Sequence, residues 1–143
     1  MPKVQDVMAK NPTYIEKTAT ILEAARLMKE KNTGFLPVSE GGSEGKMVGT
    51  ITDRDIVLRC VAEDHDAKGC QVSTVMTEKT PIWINEDSDT SEASKLMAEK
   101  QVRRLPVISK DKKLVGVVSL GDLSTKAPPE HAQHAVSGVS QGA

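Results

Sequence analysis

Two heptapeptides of this chain have residue types and spacing that could do chemistry. Gly49-Thr50-Ile51-Thr52-Asp53-Arg54-Asp55 and Gly116-Val117-Val118-Ser119-Leu120-Gly121-Asp122 share a glycine, then a hydroxyl three places on, then an aspartate three places further. A hydroxyl three residues before a carboxylate, where a strand runs into a helix, has two uses. It can form a capping box, in which each side chain satisfies a free backbone N–H of the helix start, contributing about 1 kcal/mol. It can also receive a ligand. The hydroxyl and the unpaired N–H groups suit a phosphate, and the carboxylate one turn in can accept both hydrogen bonds of a ribose diol. Such charge-assisted bonds contribute on the order of 1.5–3 kcal/mol each. The glycine lets a ligand come close to the backbone. Both uses remain open from the sequence.

A second constellation is Val102-Arg103-Arg104-Leu105-Pro106-Val107, where two arginines enter a strand from the end of a helix. A guanidinium fork matches phosphate geometry, although most arginines are solvated surface charges. Cys60 and Cys70 flank His65. Zinc would need a fourth ligand and a tight C-x-x-C pair, so no metal site is expected and the thiols read as free. Catalysis would need a poised acid, base or nucleophile with an orienting partner. His65, His131 and His134 lie outside the repeated motifs, so no catalytic residue is expected and the chain reads as a non-enzyme.

The elements that must position these residues come in duplicate. Glu23-Ala24-Ala25-Arg26-Leu27-Met28 is echoed by Glu92-Ala93-Ser94-Lys95-Leu96-Met97, Leu36-Pro37-Val38 by Leu105-Pro106-Val107, and Val7-Met8 by Val75-Met76. The echoes keep register over the whole length, which marks a duplication. Each copy reads as strand, helix, strand, strand, helix. Thr20 with Glu23, and Asp89 with Glu92, have capping-box spacing. Ile21, Ala24, Ala25 and Met28 form one apolar stripe. The first helices should end near Asn32 and Gln101, and the second should start at Asp53 and Leu120. Pro37 and Pro106 remove a ladder donor and predict edge strands. Brief strands are expected at Tyr14-Ile15 and Ile82-Trp83-Ile84. Residues 1–62 form repeat 1, 63–71 a linker, 72–127 repeat 2 and 128–143 a loose C-terminal tail. A unit of about 60 residues buries little surface alone, so two units are expected to pack sheet to sheet.

With 19 basic and 20 acidic side chains in 143 residues, the chain lacks a basic footprint for nucleic acid or an anionic membrane. It has three aromatic residues, Tyr14, Phe35 and Trp83, too few for the stacking platforms of single-stranded nucleic-acid binders. Its apolar runs fall far short of the roughly 20 residues that span a bilayer, and no signal peptide is evident. A cytoplasmic location is expected.

The h-P-V strands, the paired G-x-x-[ST]-x-x-D segments and the Val-Met openings together resemble a tandem cystathionine-β-synthase (CBS) domain pair, or Bateman module. Thr52-Asp53-Arg54-Asp55-Ile56-Val57 with Gln101-Val102-Arg103-Arg104 resembles the small stand-alone bacterial members, including the hypoxic-response type. The resemblance implies an α+β fold of two pseudo-symmetric β-α-β-β-α repeats. It also implies a regulatory adenosyl ligand (AMP, ADP, ATP, NAD or S-adenosylmethionine) and no catalytic cofactor. Carried over by position, Asp55 and Asp122 would hold ribose, while Thr52, Ser119, Arg103 and Arg104 would meet phosphate. Tyr14, Ile15, Val38, Ile82 and Val107 would flank the base. The resemblance further implies a homodimer acting in trans on an unknown effector protein. The alternative is a ligand-free interaction scaffold. Arginines in one copy alone predict unequal sites.

Overall fold

The computed structural model describes residues 2–42, 45–78 and 82–126. Each copy has the expected element order. The first runs β2 (Ile15–Glu16), α2 (Ile21–Lys31), β3 (Phe35–Glu40), β4 (Lys46–Thr52) and α3 (Asp53–Ile56). The second runs β5 (Ile84–Asn85), α4 (Thr90–Lys100), β6 (Arg104–Ile108), β7 (Leu114–Ser119) and α5 (Leu120–Lys126). Ahead of both lie α1 (Val4–Val7) and β1 (Ala9–Lys10). The chain is a mixed α/β protein with two sheets, ordered β1-β7-β6-β5 and β2-β3-β4. The tail predicted at residues 128–143 lies outside the described residues.

The chain divides into two compact units that cross the sequence repeat. One is Thr13–Pro81; the other joins Met1–Pro12 to the chain from Ile82 onward. Each repeat's opening is therefore built into the unit of the other repeat. Ala9 and Lys10 pair antiparallel with Val117 and Gly116 of β7, and Thr77 bridges Thr50 of β4 in the same way. Two glycines make this possible. A Cβ on Gly49 would lie 2.6 Å from the Thr77 carbonyl oxygen, and one on Gly116 would lie 2.8 Å from that of Ala9 and collide with Met8 Sδ. The close approach expected of a ligand at these glycines is made by the chain's own openings.

Each unit has its own core. In the first, Ile21, Ala24 and Met28 of the predicted stripe pack with Leu36, Val38, Ile51 and Val72. In the second, Ala93 and Met97 pack with Val4, Leu105, Val118 and Leu123. Burying each large aliphatic side chain contributes roughly 1.5–3 kcal/mol.

The start of α2 accounts for its free donors one by one. Thr20 Oγ1 accepts from Glu23 N at 3.1 Å, and Glu23 Oε2 accepts from Thr20 N at 3.0 Å. The N–H groups of Ile21 and Leu22 donate to the Cys70 and Ala67 carbonyls at 3.0 and 2.9 Å. The segment at 63–71 thus caps a helix as well as connecting repeats. The box expected at Asp89 does not form: its side chain makes no cap bond. The Thr90 N–H goes instead to the Pro2 carbonyl at 3.1 Å, and the Glu92 N–H to the Asp89 carbonyl at 3.0 Å. Both long helices end as predicted, in left-handed residues, Asn32 at φ 51° and Gln101 at φ 56°. The next N–H reaches back to Met28 or Met97, at 3.0 and 3.1 Å, which closes the final turn.

The edge-strand expectation is corrected. β3 lies between β2 and β4, and β6 between β7 and β5. The prolines are tolerated there because the flanking short strands start one residue later. Ile15 pairs with Val38, not Pro37, and Ile84 with Val107, not Pro106. At the proline itself the outer neighbour has not yet begun, so a missing donor costs little.

Candidate functional site

Thr52 closes β4 and caps α3; Ser119 closes β7 just ahead of α5. In both copies the capping box is complete. Asp55 N donates to Thr52 Oγ1 at 3.1 Å and Asp55 Oδ2 accepts from Thr52 N at 2.9 Å. Asp122 N donates to Ser119 Oγ at 3.1 Å and Asp122 Oδ2 accepts from Ser119 N at 2.8 Å. The second carboxylate oxygen faces a cation one turn on: Arg59 Nε at 3.9 Å from Asp55 Oδ1, and Lys126 Nζ at 3.7 Å from Asp122 Oδ1. The aspartate side chains are only 14 % and 18 % exposed. Each is held in place by the helix it caps, with Oδ1 turned to that cation.

Arginines 103 and 104 lie at the start of β6 and line a recess of about 620 Å³ with Ser119, Leu120, Gly121 and Ser124. This volume falls in the range of small-molecule sites. Three of the predicted phosphate residues, Arg103, Arg104 and Ser119, therefore line one recess. The fourth, Thr52, belongs to the other unit. There a recess of about 430 Å³ is lined by Lys29, Asn32, Thr33, Gly34 and Asp53 with apolar Met28, Ile56 and Val57, and Thr52 is not among its lining residues.

The predicted base-flanking residues divide by burial. Val38 and Val107 are fully buried and Ile15 nearly so; their side chains belong to the cores, so what they can offer a ligand is backbone. Tyr14 is half-buried just before β2. Ile82 is partly buried against the core of its own unit. The ladder register matches Ile84–Val107 to Ile15–Val38, so the counterpart of Ile15 is Ile84, and Ile82 lies two residues upstream.

Two participants escaped the sequence reading. Asp53 was passed over as a variable position inside the motif, although its charge against the matching Leu120 was visible. Arg59 donates through Nη1 to the Val75 and Met76 carbonyls, at 3.1 and 3.4 Å. Its spacing four residues after Asp55, repeated by Lys126 after Asp122, was the available signal.

Both cysteines carry free thiols. Burial above all, then the neighbouring Cys70 and Asp66, pushes the Cys60 thiol above its ordinary value, which keeps it protonated and unreactive. Cys70 Sγ lies 3.9 Å from His65 Nδ1. Among the described residues no three His, Cys, Asp or Glu side chains are placed to hold a metal, and no helix is long and apolar enough to cross a membrane.

Two β-α-β-β-α repeats, each ending in a hydroxyl–carboxylate box, define a duplicated α/β scaffold. The chain matches the CBS domain twice, over residues 4–61 and 72–127, and belongs to the CBS-domain family. It is 41 % identical over 143 residues to the uncharacterized protein YlbB of Bacillus subtilis, covering 99 % of this chain and 94 % of that one. It is 32 % identical over 132 residues to hypoxic response protein 1 of Mycobacterium tuberculosis, covering 92 % and 89 %. A solved structure of Hypoxic Response Protein I, with two coordinated zinc ions, superposes with a TM-score of 0.78 at 29 % identity over 89 % of this chain and 100 % of that one. CBSX2 in complex with AMP superposes at 0.71 with 25 % identity, over 86 % and 93 %. The CBS domain pair of MJ0100 in complex with 5′-methylthioadenosine and S-adenosylmethionine gives 0.72 with 26 % identity, over 87 % and 94 %.

Proposed function

We propose that this chain is a non-catalytic sensor that binds an adenosyl ligand and passes its occupancy to a separate effector protein. The observation that carries the reading is the recess at Arg103, Arg104 and Ser119, where two cations and a hydroxyl meet in a volume of nucleotide size. AMP in the related CBSX2 structure, and S-adenosylmethionine in that of MJ0100, support the ligand class. Ser119 meets phosphate, and Thr52 takes the matching place beside the far end of the ligand in the other unit. Asp55 and Asp122 hold ribose through the oxygen each now turns to Arg59 or Lys126. Tyr14, Ile15, Val38, Ile82 and Val107 flank the base, largely through backbone. Family membership supports a regulatory role without chemistry of its own. ATP, ADP and NAD belong to the same ligand class, and the chain works in the cytoplasm.

Calorimetry with AMP on Asp122→Asn and with 5′-methylthioadenosine on Asp55→Asn, each against the wild type, tests the ligand reading. Asparagine keeps an acceptor for the capped N–H but removes the charge, so the fold survives. Affinity at the altered site should fall about tenfold or more, from the loss of one charge-assisted bond. A wild type that binds no adenosyl compound at millimolar concentration leaves only the scaffold alternative.

Self-association is supported by one apolar helix face. Val57, Leu58 and Val61, on the π-helical turn (Val57–Val61) that continues α3, are 54 %, 47 % and 65 % exposed. We infer that two copies pair through this face. Sedimentation velocity should show a dimer for the wild type and a monomer for Leu58→Glu; a monomeric wild type refutes it.

A further inference from the structure

The two units share one backbone clasp with opposite side chains on it. The N–H of Asp53 donates to the Gly34 carbonyl at 2.9 Å, and the N–H of Leu120 donates to the Arg103 carbonyl at 2.8 Å. By repeat position Gly34 corresponds to Arg103 and Asp53 to Leu120. In the first unit the Asp53 carboxylate lies directly over the glycine: a Cβ there would stand 2.6 Å from Oδ2 and 2.9 Å from Cγ. Asp53 Oδ1 accepts from Arg54 N at 2.8 Å, which holds the group in place. A side chain at position 34 would require the exposed Asp53 carboxylate to swing aside, and the unit that has arginine there has leucine opposite.

The exchange changes the charge of the two recesses. Arg103 and Arg104 line one, with no acid among its lining residues. Asp53 and Lys29 line the other, and cancel. An anion placed in the second recess meets the Asp53 carboxylate, which repels it. Its other walls mix apolar Ala25, Met28, Ile56 and Val57 with polar Asn32 and Thr33, and offer an uncharged group both kinds of contact.

Resting on the adenosyl reading above, we propose that the two recesses select opposite ligand termini. The recess at Arg103 and Arg104 takes a phosphorylated adenosyl ligand. The recess at Gly34 and Asp53 takes one whose far end is uncharged or cationic, and Asp53 is the residue that sets this preference.

The test titrates AMP and 5′-methylthioadenosine, which lacks phosphate, into the wild type, Asp53→Leu, Asp53→Asn and the double variant Arg103→Ala/Arg104→Ala. Asp53 is exposed, so its variants should fold, and melting curves check this. The wild type should bind AMP at one strong site per chain, weakened tenfold or more in the arginine variant, while one 5′-methylthioadenosine site persists there unchanged. Asp53→Leu and Asp53→Asn should each bring a second AMP site to within tenfold of the first. Two equal AMP sites in the wild type, or Asp53 variants that leave AMP at one site, overturn this proposal and leave the adenosyl reading standing. A wild type that binds neither compound removes both.

Discussion

Leu36 and Leu105 occupy the same place in the two units, each fully buried, whereas Arg59 and Lys126, also one repeat apart, do different work. Arg59 reaches two carbonyls of the opening segment at Val75 and Met76 besides facing Asp55. Lys126 faces Asp122 alone among the described contacts. The same division separates the buried glycines Gly49 and Gly116, each pressed by an opening segment, from Asp53 and Leu120, which share a backbone clasp and nothing else. Positions that hold the scaffold kept their chemistry after duplication. Gly34 and Arg103, Asp53 and Leu120, and Arg59 and Lys126 drifted, because the fold does not require the same side chain at both.

The hardest blow to this comparison is a test of the two cores. Leu36→Ala and Leu105→Ala should each cost about 2–5 kcal/mol, from lost transfer energy and the cavity left behind. Against a total stability of roughly 5–15 kcal/mol, either variant would unfold at much lower urea. Equal sites should pay nearly equal amounts. A cost at one leucine more than twice that at the other would mean that the matched cores are not equivalent.

A smaller effect separates the two cations. Arg59→Ala should cost about 1–2 kcal/mol, discounted because its side chain is 52 % exposed and its ion pair is long. Lys126→Ala should cost under about 0.5 kcal/mol. Amide exchange reads the difference locally: the Thr77 N–H, bonded to the Thr50 carbonyl at 2.8 Å, should lose protection in Arg59→Ala. Arg59→Lys should not restore it, since the lysine ammonium ends one bond short of the Nη1 that meets both carbonyls. Equal losses for Arg59→Ala and Lys126→Ala would erase the asymmetry.

Much of this was legible in the sequence because it is local. The capping box at Thr20 and Glu23, the stops at Asn32 and Gln101, and the starts at Asp53 and Leu120 are dictated within a few residues, and the structure has all of them. The repeat carried the element order from one copy to the other. What failed was non-local. Pro37 and Pro106 correctly announced a missing donor, but only the register of β2 and β5 shows that this donor faces a strand not yet begun. Asp89 has the right spacing for a box, yet the helix start it would cap is already served by Pro2, nearly ninety residues away. Val7-Met8 and Val75-Met76 were recognised as echoes, but nothing in their residues says that each packs on the other repeat's sheet. At the site, Arg103, Arg104 and Ser119, which the resemblance puts at one cleft, line one recess. The tether at Arg59 could not be read, because its partners are backbone carbonyls that leave no mark in a sequence.

The finest comparison concerns the two helix stops. Asn32 and Gln101 hold the same left-handed geometry, at φ 51° and 56°, but asparagine tolerates it and glutamine does so at a cost of roughly 1 kcal/mol. Glycine removes that cost and loses part of the gain to its greater freedom when unfolded. Gln101→Gly should therefore stabilise the chain by roughly 0.5 kcal/mol, and Asn32→Gly by a few tenths or nothing. A shift of that size raises the melting temperature by about 1–3 °C, within reach of calorimetry. If Asn32→Gly were the more stabilising of the two, side-chain strain would not be what distinguishes these turns, and a contact of Gln101 with its own unit would have to account for the order.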